Sequence, residues 1–165
     1  MKVHSQTDVG LVRTLNEDAC RTGLLGENGA WAVVCDGMGG ANGGEIASET
    51  AVKSIEEQIL ASYEEDFKSE EMKLMLSTLI FHANSAVYDM AQENESLKGM
   101  GTTIVVAIVL DNVAHIAHAG DSRAYWLHNG NIMQITTDHS MVQELVRSGD
   151  LTALQAKTHP QKNII

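Results

Sequence analysis

Two long segments with helical periodicity divide the chain. In the first, apolar residues recur every fourth position, at Ala47, Ala51, Ile55 and Ile59, with Ile46 beside them. The charged residues Glu49, Lys53, Glu56 and Glu57 lie elsewhere on that helical wheel. The second segment begins near Ser69, which is placed to cap a helix, and its stripe is Met72, Met75, Leu76, Leu79, Ala83, Val87 and Met90. The pattern predicts two amphipathic helices whose methionines fill a core.

Short β-branched runs flank these helices. Residues 31–35 are typical of a buried strand, and the glycines after Asp36 are expected to end it. The later part predicts strands at 103–110, 113–119, 124–127 and 132–135, turns at Asp111-Asn112 and Asn129-Gly130, and a short helix at 141–147 ended by Gly149. Strands and helices that are segregated in this way indicate an α+β fold rather than a doubly wound parallel sheet.

The composition is that of an ordinary globular domain. The 165 residues are 44% apolar and 20% charged, which predicts a single domain over residues 1–165. The formal net charge of −11 argues against a nucleic-acid partner, because an acidic chain repels phosphates. An acidic surface suits a protein that collects divalent cations, although the same charge can serve solubility alone.

The sequence shows no sign of export, disulfide bonding or membrane insertion. Met1 is followed by polar residues, and no apolar run is long enough to span a bilayer. Cys20 and Cys35 lack the paired spacing of a disulfide framework or zinc ribbon, and Cys35 is expected to be a buried strand residue. These observations predict a cytoplasmic protein without a membrane partner.

The strongest candidate site is the segment Asp-Gly-Met-Gly-Gly from Asp36 to Gly40. A buried strand would hold the Asp36 carboxylate rigidly, and the glycines would let a ligand approach the backbone and its carbonyl oxygens. Mg²⁺ and Mn²⁺ prefer carboxylate, carbonyl and water ligands. A tight turn in which Asp36 only caps the next helix remains an alternative. A P-loop is excluded because this segment contains no lysine. Asp36 as a nucleophile stays open, but a metal-ligand role is favoured over it.

A second candidate is the cluster Arg13-x-x-Asn16-Glu17-Asp18. Arg13 could grip a phosphate with two parallel hydrogen bonds. Glu17 and Asp18 could orient waters around a metal ion. The alternative is a surface salt-bridge cluster of the kind that contributes little to stability.

Two further motifs lie in the second half of the chain. Asp121, in the segment from Gly120 to Arg123, could ligate a metal or could form a β-turn with a side-chain hydrogen bond. The segment Asp138-His139-Ser140 precedes a predicted helix and is better suited to capping than to catalysis.

Together and in order, these pieces resemble the PPM (type-2C) family of protein phosphatases. The motifs are R-x-x-N-E-D at 13–18, D-G-M-G-G at 36–40, G-T-T at 101–103, G-D-S-R at 120–123 and D-H-S at 138–140. Five motifs in one order are far more specific than any of them alone. The D-G-M-G-G form is similar to the bacterial branch of the family.

The resemblance implies a fold and a reaction. The fold is an antiparallel β-sandwich flanked by helices on both outer faces. The reaction is hydrolysis of phosphoserine and phosphothreonine in proteins by a water that a centre of two Mn²⁺ or Mg²⁺ ions activates, with a third ion as a further feature. The implied partners are phosphoproteins and a serine/threonine kinase that shares them.

The resemblance also implies a role for each matching residue. The Asp36 carboxylate bridges two metals, and the Gly37 carbonyl binds one of them. Glu17 and Asp18 act on water held by the metals, so that Asp18 joins Arg13 and Asp36 in the catalytic set. Arg13 holds the substrate phosphate, and Asp121 helps to bind a third metal.

Two departures from the family pattern qualify this expectation. Animal members carry a histidine, assigned as a general acid, at the position of Met38. Members also continue past the position of Ile165 to D-G and D-N segments whose aspartates complete the metal centre. The resemblance therefore implies the N-terminal portion of the domain, incomplete at its C-terminus.

An alternative function follows from the second departure. The chain could be a catalytically inactive, truncated phosphatase-like fragment that serves as a regulatory or phosphopeptide-binding module. Strand edges left without partners would be exposed, which predicts self-association.

Overall fold

The computed structural model describes residues 1–39, 43–64, 67, 69–162 and 164–165. Gly40, the last residue of the glycine-rich motif, lies outside the described residues, as does the side chain of Ser69 with its predicted cap. The chain forms two compact units, Met1–His118 and Ala119–Ile165. The single domain expected from composition stays a prediction.

The first unit is built on a five-stranded sheet. Its strands are β1 (Asp18–Leu25), β2 (Gly29–Met38), β3 (Gly101–Thr102), β4 (Ile104–Leu110) and β5 (Val113–Ala119). The order is β1-β2-β4-β5, with β3 beside the end of β2, and β2 is antiparallel to β1, β3 and β4. The predicted turn between β4 and β5 is confirmed: Asp111 and Asn112 have φ values of 47° and 65°, which a two-residue hairpin turn requires.

Two helices pack against this sheet and each other, as the periodicity predicts. They are α1 (Gly43–Ser62) and α2 (Ser69–Glu93). Every predicted stripe residue of the two helices is buried except Ile46, which is partly buried, and Met90, which is 37% exposed. Met90 lies at the rim of the helix pair, where its sulfur is 3.7 Å from the Thr50 hydroxyl. The stripes meet Val33, Cys35, Val106 and Ile108, all fully buried on one face of the sheet.

Strand β2 corrects one expectation. Gly37 does not end the strand, which continues through Met38 and stops before Gly39. The reason is tertiary, because Gly37 pairs with Thr102 and Met38 pairs with Gly101. The distant Gly-Thr-Thr segment thus supplies a partner strand that local glycine propensity does not reveal.

The second unit holds a hairpin and two short helices. The hairpin consists of β6 (Tyr125–His128) and β7 (Asn131–Gln134), joined at Asn129 and Gly130, whose φ values are 49° and 76°. Helix α3 (Met141–Ser148) begins at the Ser140 cap, whose side chain accepts a hydrogen bond from the Gln143 amide, and ends at Gly149 with φ 87°. Helix α4 (Ala153–Ala156), with a capping box formed by Thr152 and Gln155, was not predicted.

The α+β class predicted from the sequence is confirmed, with antiparallel sheets and separate helices. None of the helices in the described part of the chain combines the length and apolar content needed to cross a bilayer.

Candidate active site

Two carboxylates face each other where β1 begins and β2 nears its end. Asp18 is the direct cross-strand partner of Asp36, which places their Cβ atoms about 4.5–5.5 Å apart on one face of the sheet. Cys35, on the opposite face, is completely buried, whereas both aspartates are exposed. Strand alternation therefore directs this pair away from the helices and the apolar core.

A cavity of about 400 Å³ opens over this pair. It is lined by Asp8, Val9, Gly10, Leu11, Val12, Arg13, Leu15, Asn16, Glu17, Asp18 and Asp36. The structure thus brings together four predicted site residues: Arg13, Glu17, Asp18 and Asp36. Sequence reasoning missed Asp8, which lies in the loop before the recognised motif.

The backbone of Asp36 is held by the Gly-Thr-Thr segment. Its amide donates to the Thr103 hydroxyl at 3.0 Å. Its carbonyl accepts from the Thr103 amide at 2.9 Å and from the Thr102 hydroxyl at 3.1 Å. Both the amide and the carbonyl group of Asp36 are therefore held by hydrogen bonds.

Gly37 occupies a position that only glycine can fill. Its amide donates to the Glu17 carbonyl at 3.0 Å. A Cβ placed on Gly37 would lie 2.0 Å from the Gly44 carbonyl oxygen and 2.6 Å from that of Glu17. Both obstacles are backbone atoms that cannot turn aside, so Gly37 allows the start of α1 to approach the strand end.

Glu17 lies both at the cavity and at the crossing, which is the place where the start of α1 approaches the end of β2. A Cβ on Gly44 would lie 2.5 Å from the Glu17 Oε1, so the carboxylate rests against the first turn of α1. A negative charge is favoured there by the helix dipole. The other oxygen, Oε2, accepts from Arg13 Nη1 at 2.5 Å, and the side chains of Arg13 and Glu17 are 69% and 20% exposed. Arg13 thus lies at the open side of the site, in contact with a carboxylate that a more negative ligand could replace.

Asn16 ties the N-terminal loop to the first strand. Its Oδ1 accepts from the Asp18 amide at 3.1 Å, and its Nδ2 donates to the Thr7 hydroxyl at 2.8 Å. Within the same loop, Asp8 accepts from the Gly10 amide at 2.7 Å. These bonds shape the wall that carries Arg13. The Asp8–Gly10 turn has a local signal in the Asp-x-Gly spacing, whereas the contact of Thr7 with Asn16 has none.

In the second unit, two of the recognised motifs form one hydrogen-bonded structure. Arg123 donates through Nε to one oxygen of Asp138 at 2.8 Å and through Nη2 to the other at 2.6 Å. Hydrogen bonds to Asp138 and then to Tyr125 raise the pKa of Arg123 above its usual value. The His139 amide donates to the Gly120 carbonyl at 2.9 Å.

These contacts refine one expectation about capping. Ser140 caps α3 as predicted, but Asp138 pairs with Arg123. Asp121 is half-buried and lines a cavity of about 720 Å³ within this unit, together with Arg123, Asp138 and two lysines, Lys157 and Lys162.

The donor chemistry in the first unit fits a hard divalent cation. Carboxylate oxygens are its preferred ligands, and Mg²⁺ is commonly held by one or two carboxylates while it keeps several waters. Within the described ranges, no cluster of three or more histidine, cysteine, aspartate or glutamate side chains is arranged to hold a metal. The Asp18–Asp36 pair therefore offers fewer carboxylates than a complete ligand set of protein side chains.

Cys35, next to Asp36 in sequence, is completely buried as predicted. Burial raises the pKa of its thiol to about 12, although a hydrogen bond with Thr102 opposes part of the shift. At neutral pH the sulfur is a protonated core group, which is not a nucleophile.

The α+β fold presents paired carboxylates and an arginine at one end of its sheet, groups that suit a cation and an anion respectively. Comparison with known families goes further: residues 12–162 match the model of protein phosphatase 2C, and the chain belongs to that family. Membership confirms the resemblance drawn from the five motifs.

Individual relatives agree. The chain is similar to the serine/threonine phosphatase stp of Listeria welshimeri, with 37% identity over all of this chain and 65% of that protein. The crystal structure of Stp1 from Staphylococcus aureus has 41% identity and a TM-score of 0.88, over 97% of this chain and 62% of that one. The catalytic domain of the phosphatase PstP in complex with two manganese ions has 34% identity and a TM-score of 0.74, over 92% and 61%.

These matches confirm the fold class. The chain spans about 65% of the length of the first curated relatives that it matches.

Proposed function

We propose that this chain is the part of a protein serine/threonine phosphatase that binds the substrate phosphate and that supplies the strand holding a metal ligand. The observation that carries the proposal is the opposition of Asp18 and Asp36 in one cavity with Arg13. The named relatives are serine/threonine phosphatases, which supports hydrolysis of phosphoserine and phosphothreonine as the reaction.

Asp36 and the Gly37 carbonyl are the proposed metal ligands of the first unit, with Asp18 beside them. The complex of PstP with two manganese ions supports Mn²⁺, and Mg²⁺ suits the same oxygen donors. A divalent cation held by these oxygens would neutralise negative charge and would lower the pKa of water. The rigid β2–β3 pairing keeps the Asp36 oxygens at one position of the sheet end.

Arg13 is the proposed phosphate-binding residue. Its guanidinium is well exposed at the cavity and can form two parallel bonds with a phosphate. Because a phosphate carries more charge than the Glu17 carboxylate, substrate can compete for the same N–H groups. Glu17 would then remain at the α1 end, where it accepts hydrogen bonds from water near the reacting phosphate.

Protonation of the leaving serine or threonine oxygen needs a source other than residue 38. Met38 is 44% exposed at the strand end and has no acidic proton. Water is the proposed donor, which fits an open cavity.

Asp121 is a proposed ligand of a third cation within the second unit. Its half-buried position in the wall of the 720 Å³ cavity leaves it accessible to a cation. Phosphoproteins made by a serine/threonine kinase are the proposed substrates, and self-association stays a prediction.

Mn²⁺-dependent hydrolysis of a phosphothreonine peptide by this chain tests the proposal. Asp36→Asn should reduce the rate to the metal-free background, because the amide removes the ligand charge while it keeps the shape. Asp111→Asn is the matched control: Asp111 lies in an exposed turn with positive φ that asparagine tolerates, and this variant should keep the wild-type rate.

Two other outcomes would count against the proposal. Equal rates in wild type and Asp36→Asn would exclude Asp36 from the reaction. Binding of the phosphopeptide without hydrolysis, by folded protein with Mn²⁺ present, would favour the binding-module alternative.

A further inference from the structure

The ladder between β2 and the segment from β3 to β4 is interrupted at one place. Val34 pairs with Val105 before the interruption and Gly37 pairs with Thr102 after it, in an unchanged register. Between them Asp36 lies opposite Thr103. The interruption therefore neither adds nor removes a residue, and it differs from a β-bulge in that respect.

The hydroxyl of Thr103 takes over a main-chain role at this point. The Thr103 amide donates to the Asp36 carbonyl at 2.9 Å, as in a regular antiparallel pair. In the reverse direction, the Asp36 amide donates to the Thr103 Oγ1 at 3.0 Å. A side chain thus replaces the carbonyl that an ordinary ladder would offer.

The neighbouring threonine completes the arrangement. The Thr102 hydroxyl lies 3.1 Å from the Asp36 carbonyl oxygen and 3.0 Å from the Thr103 carbonyl oxygen, so it bridges the two strands. Thr103 is 1% exposed, so its hydroxyl is screened from water. A hydrogen bond lost at such a place is not replaced by solvent.

We propose that Thr103, assisted by Thr102, is a positioning residue that fixes the Asp36 peptide, and through it the direction of the Asp36 carboxylate. The metal-ligand role of Asp36 rests on the proposed function, whereas the hydroxyl contacts do not. The two hydroxyls hold the Asp36 main chain without touching the cavity, since neither threonine is among the residues that line it. Residues that orient a ligand in this way commonly change metal affinity when they are substituted.

The test compares Thr103→Val with Thr103→Ser and Thr22→Val. Valine keeps the branched shape that a strand favours and removes the oxygen, whereas serine keeps the oxygen. Thr22 is a partly buried threonine of β1 opposite Ala32, and it controls for the loss of a hydroxyl elsewhere in the sheet.

Two measurements are made on the whole chain: Mn²⁺ binding by calorimetry, and amide hydrogen exchange of Asp36 by NMR without metal. In Thr103→Val the Mn²⁺ dissociation constant should rise about 10-fold to 100-fold, the range found when a supporting group of a metal ligand is removed. Exchange of the Asp36 amide should accelerate by at least about 10-fold, since its acceptor is gone. Thr103→Ser and Thr22→Val should remain close to wild type in both.

The outcomes distinguish a failure of the positioning role of Thr103 from a failure of the proposed phosphatase function. If the wild-type chain hydrolyses no phosphopeptide but Thr103→Val shows the faster exchange and, where Mn²⁺ binds, the weaker binding, the phosphatase proposal fails and the positioning role stands. If Thr103→Val matches Thr22→Val in both measurements, the positioning role is overturned even in an active enzyme.

Discussion

The two units achieve order by different means. In the first, two helices bury their apolar stripes against one face of a sheet, and residues such as Ile55, Val33 and Val106 are completely buried. In the second, Val142 is the one buried hydrophobic residue among those that the structure describes there. All eight strand residues of its hairpin are exposed.

What holds the second unit is a set of directional polar contacts. Arg123 binds Asp138 through two hydrogen bonds, Ser140 caps α3, and Thr152 and Gln155 cap each other at α4. Apolar burial stabilises by about 25 cal/mol per Å², whereas exposed ion pairs contribute about 0–1 kcal/mol each. The same kind of substitution should therefore cost the first unit much more than the second.

The largest effect is expected in the core of the first unit. Ile55→Ala should lower the free energy of unfolding by about 2–5 kcal/mol, because it leaves a cavity among completely buried neighbours. Leu60→Ala is the control on the same helix: Leu60 is 66% exposed, so its loss should change stability by less than about 0.5 kcal/mol. Urea unfolding with a fluorescence or circular-dichroism readout distinguishes them, and equal losses would contradict a helix-on-sheet core.

A smaller, pH-dependent effect on the free energy of unfolding tests whether water reaches that core. Burial raises the pKa of the Cys35 thiol from 9.0 to about 12, so the folded chain keeps a proton that the unfolded chain releases. Stability from this group is therefore fully present below pH 9 and is lost as the pH rises toward 12.

Between pH 9 and 10 wild type should lose about 1 kcal/mol more stability than Cys35→Ala, which cannot titrate there. Urea midpoints measured at intervals of half a pH unit provide the comparison. Parallel curves for the two proteins would show that the thiol is accessible to water.

The smallest effect is expected in the second unit. Arg123→Lys keeps the charge but cannot form the fork of two bonds with Asp138, so global stability should fall by no more than about 1 kcal/mol. Exchange of the His139 amide, which donates to the Gly120 carbonyl, should nevertheless accelerate. Arg147→Lys is the control, since Arg147 pairs with Glu144 on the exposed surface of α3. A large global loss in Arg123→Lys would mean that the second unit is not held locally.

The sequence predicted the elements whose signals are local. Apolar spacing located α1 and α2, and Asp111-Asn112, Asn129-Gly130 and Gly149 marked turns and a helix end that the structure confirms. Strand β1 was missed because Arg21 and Gly23 interrupt any alternation, and its stability comes from pairing with β2. The extension of β2 past Asp36 was missed because its partner lies at residues 101–102.

In the candidate site, too, local features could be predicted from the sequence and long-range contacts could not. The motifs predicted Arg13, Glu17, Asp18 and Asp36 as site residues, but only the register shows that Asp18 and Asp36 are direct neighbours. Gly44 carries no signal at all, since its importance arises from the Glu17 carboxylate that lies against it. Chemistry at a position could be predicted from residue type, whereas the contacts that orient it depend on chain segments far apart in sequence.

The crossing of Glu17, Gly37 and Gly44 has a consequence for the order in which the protein folds. These residues lie within 28 positions of one another, so closing the loop between them costs little chain entropy and can occur early. The threonines that hold Asp36 lie 66 and 67 positions further along the chain. A nascent chain would thus form the strand and the start of its helix while Asp36 still lacks its hydroxyl partners. The Asp36 peptide would then reach its final geometry only after residue 103 has emerged.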